Sequence, residues 1–157
     1  MKTLGPDYYT KPPVQDPLPL EGESRLFIPA ANRQVGGDHY KTAIQPMYFA
    51  EVNGLTPCIT RAIVYVFRHR SKNGKQDVLK ASHCCELGAE FYEDAKRHLK
   101  ANPPEEWAII PGVFIEANKI TGKEAAVILH LLSVYTVGVI GYLRAKDVID
   151  KLVEEYH

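Results

Sequence analysis

The sequence predicts an all-α protein: two degenerate copies of a short-helix, helix, helix unit around one core, preceded by an extended proline-rich arm. Three observations predict it. From residue 44 onward, apolar residues recur at helical spacing between clear stop signals. The segment Phe49-Ala-Glu-Val-Asn-Gly-Leu-Thr56 returns as Phe114-Ile-Glu-Ala-Asn-Lys-Ile-Thr121. Six of the eleven prolines fall within residues 1–30, where they exclude a helix.

The arm covers residues 1–33. It also carries Tyr8, Tyr9, Leu18, Leu20, Leu26, Phe27 and Ile28, more apolar surface than a solvated tail needs. Docking on its own body or on a neighbouring subunit is one expectation; disorder in solution is the other. The first helical unit covers residues 34–102. A short helix runs from Ile44, with Pro46 near its start, to the stop at Asn53-Gly54. Thr56-Pro57 then supplies an N-cap and a proline at the first helical position. The helix that follows places Ile59, Ala62, Ile63, Val66 and Phe67 on one face and runs to about Ser71. After Asn73-Gly74, a long helix is predicted from about Gln76 to Ala101, stopped by Pro103-Pro104.

The second unit, residues 103–157, repeats the plan. Pro46 corresponds to Pro111 and Ile63 to Ile128; after a one-residue deletion, Gly74, Leu79 and Ala81 correspond to Gly138, Leu143 and Ala145. Thr121-Gly-Lys-Glu124 reads as a capping box. The copies differ most at one place. The first has Arg68-His-Arg-Ser-Lys-Asn-Gly-Lys75, four permanent cations and a histidine; the second has Ser133-Val-Tyr-Thr-Val-Gly-Val139, without charge. The second unit is therefore expected to be scaffold or an oligomer contact.

Nineteen basic residues balance nineteen acidic ones. That argues against a general nucleic-acid or membrane-surface binder and in favour of a local anion site. Helix-dipole complementarity at the end of the second helix accounts for one or two cations, at about 0.3–1 kcal/mol each. Four point to a phosphate-bearing ligand. Cys58, Cys84 and Cys85 have no metal-ligand spacing and suggest reduced thiols in the cytoplasm. No signal peptide is read, and the apolar run around residues 125–132 is too short to span a bilayer.

Arg61, Tyr65, Arg68 and Lys72 fall on one helical stripe. Arg side chains and Lys72 would grip phosphates, and Tyr65 would stack on a base. Arg70, Asn73 and Lys75 complete the basic turn. The competing expectation is a solvated basic face paired with acids of the next helix. His39 and Tyr40 follow Gly36-Gly37-Asp38 on a loop that could close over a ligand, or form an ordinary glycine-rich turn. Asp77, Lys80 and His83 lie at i, i+3 and i+6. Asp77 is the only acid beside the basic turn. It is the candidate catalytic residue, or else it caps the third helix, pairs with Lys80 or holds the turn in place. His83 is a ligand-site or a packed histidine. Glu86, Glu90, Glu93 and Asp94 read as a solvated face more readily than as a magnesium cluster. No P-loop, dinucleotide fingerprint or zinc spacing occurs, and no metal-binding residues are assigned.

Residues 34–87 resemble a small all-helical family found mainly in bacteriophages. Its members show Gly-Gly-Asp-His-Tyr, then a helix ending in Arg-x-Arg-x-Lys-Asn-Gly, then Glu-Asp-Leu-x-Lys-Ala-x-His-Tyr. The chain has Gly36-Gly-Asp-His-Tyr40, Tyr65-Val-Phe-Arg-His-Arg-Ser-Lys-Asn-Gly74 and Asp77-Val-Leu-Lys-Ala-Ser-His83. It departs from the family at Arg61, usually Asn, at Val64, usually Lys, and at Cys84, usually Tyr. The resemblance implies a phage protein of the host cytoplasm that binds nucleotides and acts as a nucleoside monophosphate kinase, with magnesium accompanying the nucleotide. The departures favour an alternative, non-catalytic sequestration of a linear or cyclic nucleotide immune signal as an anti-defence sponge. A second alternative is a helical nucleotide pyrophosphohydrolase. A site on so small a chain is expected to be completed by a neighbour, hence a homo-oligomer.

Overall fold

The computed structural model describes residues 42–101 and 107–157, with no account of the side chains of Lys100 and Ala101. The arm, His39 and Tyr40 lie outside the described residues. Among those described, all regular structure is helical. The first unit comprises α1 (Pro46–Val52), α2 (Pro57–Arg68), a 3₁₀ turn (His69–Ser71), α3 (Lys75–Glu90) and α4 (Tyr92–Ala101). The second comprises α5 (Pro111–Ala117), α6 (Gly122–Leu132), the single turn α7 (Val134–Val137) and α8 (Ile140–Val153).

The two units repeat in three dimensions as they do in sequence. Both short helices start on a proline, whose missing N–H is no loss in a first turn. Both end in a left-handed residue: Gly54 at φ 62° and, at the equivalent place, Lys119 at φ 54°. A side chain there costs roughly 1–2 kcal/mol, which the second copy tolerates. Gly74 and Gly138 both have positive φ before the last long helix of each copy. The short helices are cross-linked reciprocally. Asn53 Nδ2 donates to the Ile109 carbonyl at 3.0 Å and its Oδ1 accepts from the Ile109 N–H at 3.3 Å. Asn118 does the same with Ile44, at 2.8 and 3.1 Å. Phe49 and Phe114 stack between them with centroids 4.3 Å apart. These pairs mark an approximate twofold axis through the core.

Around that axis α2 packs on α3, α6 on α8, and the two pairs meet through α3–α8 and α2–α6. Ile59, Ile63 and Val66 of α2 and Val127, Ile128 and Leu131 of α6 are buried. Each such side chain stabilises the fold by roughly 1.5–3 kcal/mol. Gly88 allows α8 to approach α3: a Cβ there would sit 2.4 Å from the Tyr142 ring.

Two expectations are corrected. The single long helix predicted over 76–101 bends at Phe91, between α3 and α4. The backbone bonds continue through Phe91, but its φ of −82° and ψ of −2° turn the axis. The turn lets the Tyr92 hydroxyl lie close over Gly138, at the end of α7. The capping box at Thr121 does not form, because the Glu124 carboxylate is drawn to His69 and Arg70 of the first copy. Among the described residues, no helix is long and apolar enough to cross a membrane.

Candidate functional site

The basic segment begins where α2 ends, and its side chains divide between two faces. Arg68 holds Asp77: its Nε donates to Oδ2 at 2.9 Å and its Nη2 to Oδ1 at 3.3 Å. Asn73 Nδ2 adds a bond to Oδ1 at 3.1 Å, and Lys80 Nζ stands 3.9 Å from the same oxygen. Asp77 is fully buried. Burial alone raises its pKa, but the hydrogen bonds from Arg68 and Asn73 outweigh that and hold the carboxyl below its usual value. Both oxygens of the candidate acid are thus committed to tethering the basic turn to the first turn of α3.

Arg70 faces the other way. Its Nε donates to Glu124 Oε1 at 2.6 Å and its Nη2 to Glu155 Oε2 at 3.1 Å. The Glu155 carboxylate also binds Lys123. Beneath Arg70, His69 is buried, with Nδ1 2.6 Å from the Tyr156 hydroxyl and Nε2 3.1 Å from Glu124 Oε1. Burial pushes the Glu124 carboxyl up, but its own backbone N–H, Arg70 and His69 bring it below the usual value. The equivalent place in the second copy is taken by Tyr135, whose hydroxyl accepts the Thr56 N–H at 3.1 Å. So this face is an inter-copy contact, polar on one side of the twofold and nearly neutral on the other. A cavity of about 440 Å³ lies beside it, lined by Phe67, His69, Arg70, Lys119, Thr121 and Glu124.

The other candidates converge between α2 and α3. Arg61, Tyr65, Lys80 and His83 line one groove of about 580 Å³, with Cys58 and Leu79 among its apolar walls. The Arg68 guanidinium carbon lies 5.0 Å from the centre of the Tyr65 ring and Lys80 Nζ lies 5.7 Å from it. Cation–π contacts of this kind are worth about 0.5–1 kcal/mol at exposed sites. Arg61 is exposed and makes no ion pair with any described residue. His83 stands 3.5 Å from Glu86 on the same helix. Burial pushes the Cys58 and Cys84 thiols up, so they stay protonated and act as apolar lining. A neighbouring groove of about 430 Å³ lies between α1 and α2, bordered by Met47, Leu55 and Val64 as well as by Arg61, Tyr65 and Arg68. Lys72 and Lys75 are exposed on the turn.

The acids of α3 and α4 do not form a metal cluster. Glu86 Oε1 lies 3.6 Å from Lys146, and Glu93 is bound to Lys96. No group of three or more His, Cys, Asp or Glu side chains among the described residues is placed to hold a metal ion. Asp77, enclosed by Arg68 and Asn73, likewise does not fit a magnesium ligand.

Sequence reasoning missed the apolar half of the groove, Pro57, Cys58, Leu79, Cys84 and Leu87, because it depends on how α2 faces α3. Leu79 is 49% exposed beside Lys80, an exposure that only the fold reveals. Sequence reasoning also missed His69, buried between Arg68 and Arg70. In comparisons with models of known protein families, with curated proteins and with solved structures, the chain matches none.

Proposed function

We propose that the chain binds a nucleotide in the α2–α3 groove and holds it rather than converting it. The observation that carries this is the pairing of an apolar groove with Tyr65 on its wall and three nitrogen groups, Arg61, Lys80 and His83, at its edges. Apolar walls with a few convergent polar groups suit a small aromatic ligand that bears phosphate. Arg61 is the leading phosphate partner, since it has no competing acid among the described residues. Retention is favoured over turnover because Asp77, the candidate catalytic acid, has both oxygens engaged by Arg68 and Asn73. Sequestration of a nucleotide signal is therefore preferred to the kinase activity that the resemblance of residues 34–87 implies. Pyrophosphohydrolysis has the weakest support, since Glu86 and Glu93 are paired with lysines. Any magnesium would enter with the ligand's phosphates.

We place the protein in the cytoplasm of an infected bacterium on the strength of the same resemblance. A homo-oligomer is supported by Leu129, Val137, Ile140 and Leu143 of the second copy, 39–50% exposed.

Calorimetric titration with nucleoside mono-, di- and triphosphates tests binding. Arg61→Ala and Lys80→Ala should each weaken the best ligand at least tenfold, as expected for a charge-assisted hydrogen bond of about 1.5–3 kcal/mol. Unchanged affinity in both variants would remove the ligand from this groove. Mass spectrometry of the ligand after incubation with magnesium decides between retention and conversion: recovery intact supports the proposal, and a phosphorylated or cleaved product contradicts it.

A further inference from the structure

The α2–α3 groove does not stand alone. It shares Pro57, Arg61 and Tyr65 with the adjoining α1–α2 groove, so these three residues border both. These residues are successive i, i+4 positions, so they form a crest that rises about 6 Å per step, about 12 Å in all, while winding about 40° round the helix per step. Arg61 stands at its midpoint, exposed and without an ion pair among the described residues. The two grooves are similar in size, about 580 and 430 Å³, and each has apolar walls: Leu79 and Leu87 on one side, Leu55 and Val64 on the other. Two apolar clefts flanking one uncompensated guanidinium are more than a mononucleotide needs. A mononucleotide presents one base, and its phosphate would use the crest while the second cleft stayed wet. A ligand with two bases joined through a phosphodiester matches the crest and both flanks.

We infer that the ligand is a dinucleotide astride α2, with its linking phosphate at Arg61, one base in the α2–α3 groove beside Tyr65 and the other between α1 and α2. This rests on the nucleotide reading of the α2–α3 groove and adds the second cleft to it. Tyr65 borders both clefts, so its ring can contact either base while its edge keeps the bases apart. The charge fits a singly or doubly charged linkage better than a triphosphate, because on this face Arg68 is committed to Asp77. Glu51 at the border of the α1–α2 groove would also repel a long polyphosphate.

The test titrates the full-length protein with 3′,5′-linked dinucleotides of adenine, guanine, cytosine and uracil, linear and cyclic, beside the matching 5′-monophosphates. The best dinucleotide should bind at least tenfold tighter than its monophosphate. Val64→Trp fills the α1–α2 groove and should bring that ratio toward one; Met47→Trp, at an exposed position on the same groove, should lower it in the same direction and guards against misfolding of the first variant. Leu79→Trp, in the α2–α3 groove, should weaken both ligands together. Equal affinity for mono- and dinucleotides in the wild type would overturn the dinucleotide assignment and leave the nucleotide site standing. A preference that survives both Val64→Trp and Met47→Trp would place the second base elsewhere and overturn it too. Tighter binding of a single-stranded tetranucleotide than of any dinucleotide would turn the crest into a strand-binding surface. No binding of any of these compounds would sink the nucleotide reading along with the inference.

Discussion

Asp77 and Arg68 meet through two hydrogen bonds, of 2.9 and 3.3 Å, with the acid fully buried and the arginine 14% exposed. Removing one partner of such a pair strands the other and costs about 3 kcal/mol or more. Asp77→Asn should therefore lower the unfolding free energy at neutral pH by about that amount, measured by urea denaturation. The pH dependence has a definite sign. The folded carboxyl titrates below the unfolded value of about 3.9, so its contribution is complete well above that pH and lost as pH falls through the folded pKa. Glu124 adds a contribution of the same sign. The wild type should lose stability steeply on acidification below about pH 4, and Asp77→Asn should lose less over the same interval. Equal stability of the two proteins at pH 7 would contradict the tether. The sequence placed Asp77 beside the basic turn but could not choose between caps, tethers and catalysts. That choice depended on Arg68 reaching across the turn to Asp77, which local spacing leaves open.

At the level of the helices, close approach is set by glycine. A methyl at Gly88 would lie 2.4 Å from Tyr142, a buried ring on α8. Gly88→Ala should destabilise by about 1–3 kcal/mol, in the range of overpacked cores. Tyr142→Leu should recover part of that loss in a double-mutant cycle, read by thermal or urea unfolding. Additive costs would show that the two side chains do not meet. The helices of both copies were legible in the sequence, because proline starts, asparagine stops and 3.6-residue spacing are local signals. The bend at Phe91 was not. It rests on Tyr92 reaching Gly138, 46 residues on (138 less 92), and nothing near Phe91 announces it. The failed capping box has the same origin. Glu124 had a local partner available, and His69 and Arg70 from the other copy displaced it.

Across the whole molecule, duplication fixes the architecture and divergence fixes the site. Asn53 and Asn118 make matching pairs of bonds to Ile109 and Ile44. Asn53→Ala and Asn118→Ala should each cost about 1–3 kcal/mol, since each leaves two backbone groups without their partner. Stability losses that differ by more than about 2 kcal/mol between them would argue against an equivalent pair. The repeat was readable because Asn53 and Asn118 sit at the same place in a recurring segment; their purpose, stitching the copies together, was not. The cluster of cations was equally plain in sequence, yet the fold sends Arg70 to the inter-copy face and leaves Arg61, Tyr65, Lys80 and His83 around the α2–α3 groove. The most direct test of that assignment is a heteronuclear NMR titration with the nucleotide that binds best. Resonances of Arg61, Tyr65, Lys80 and His83 should shift first and most, while those of His69, Arg70 and Glu124 stay in place. Shifts centred on His69 and Glu124, with the α2–α3 groove unmoved, would contradict it.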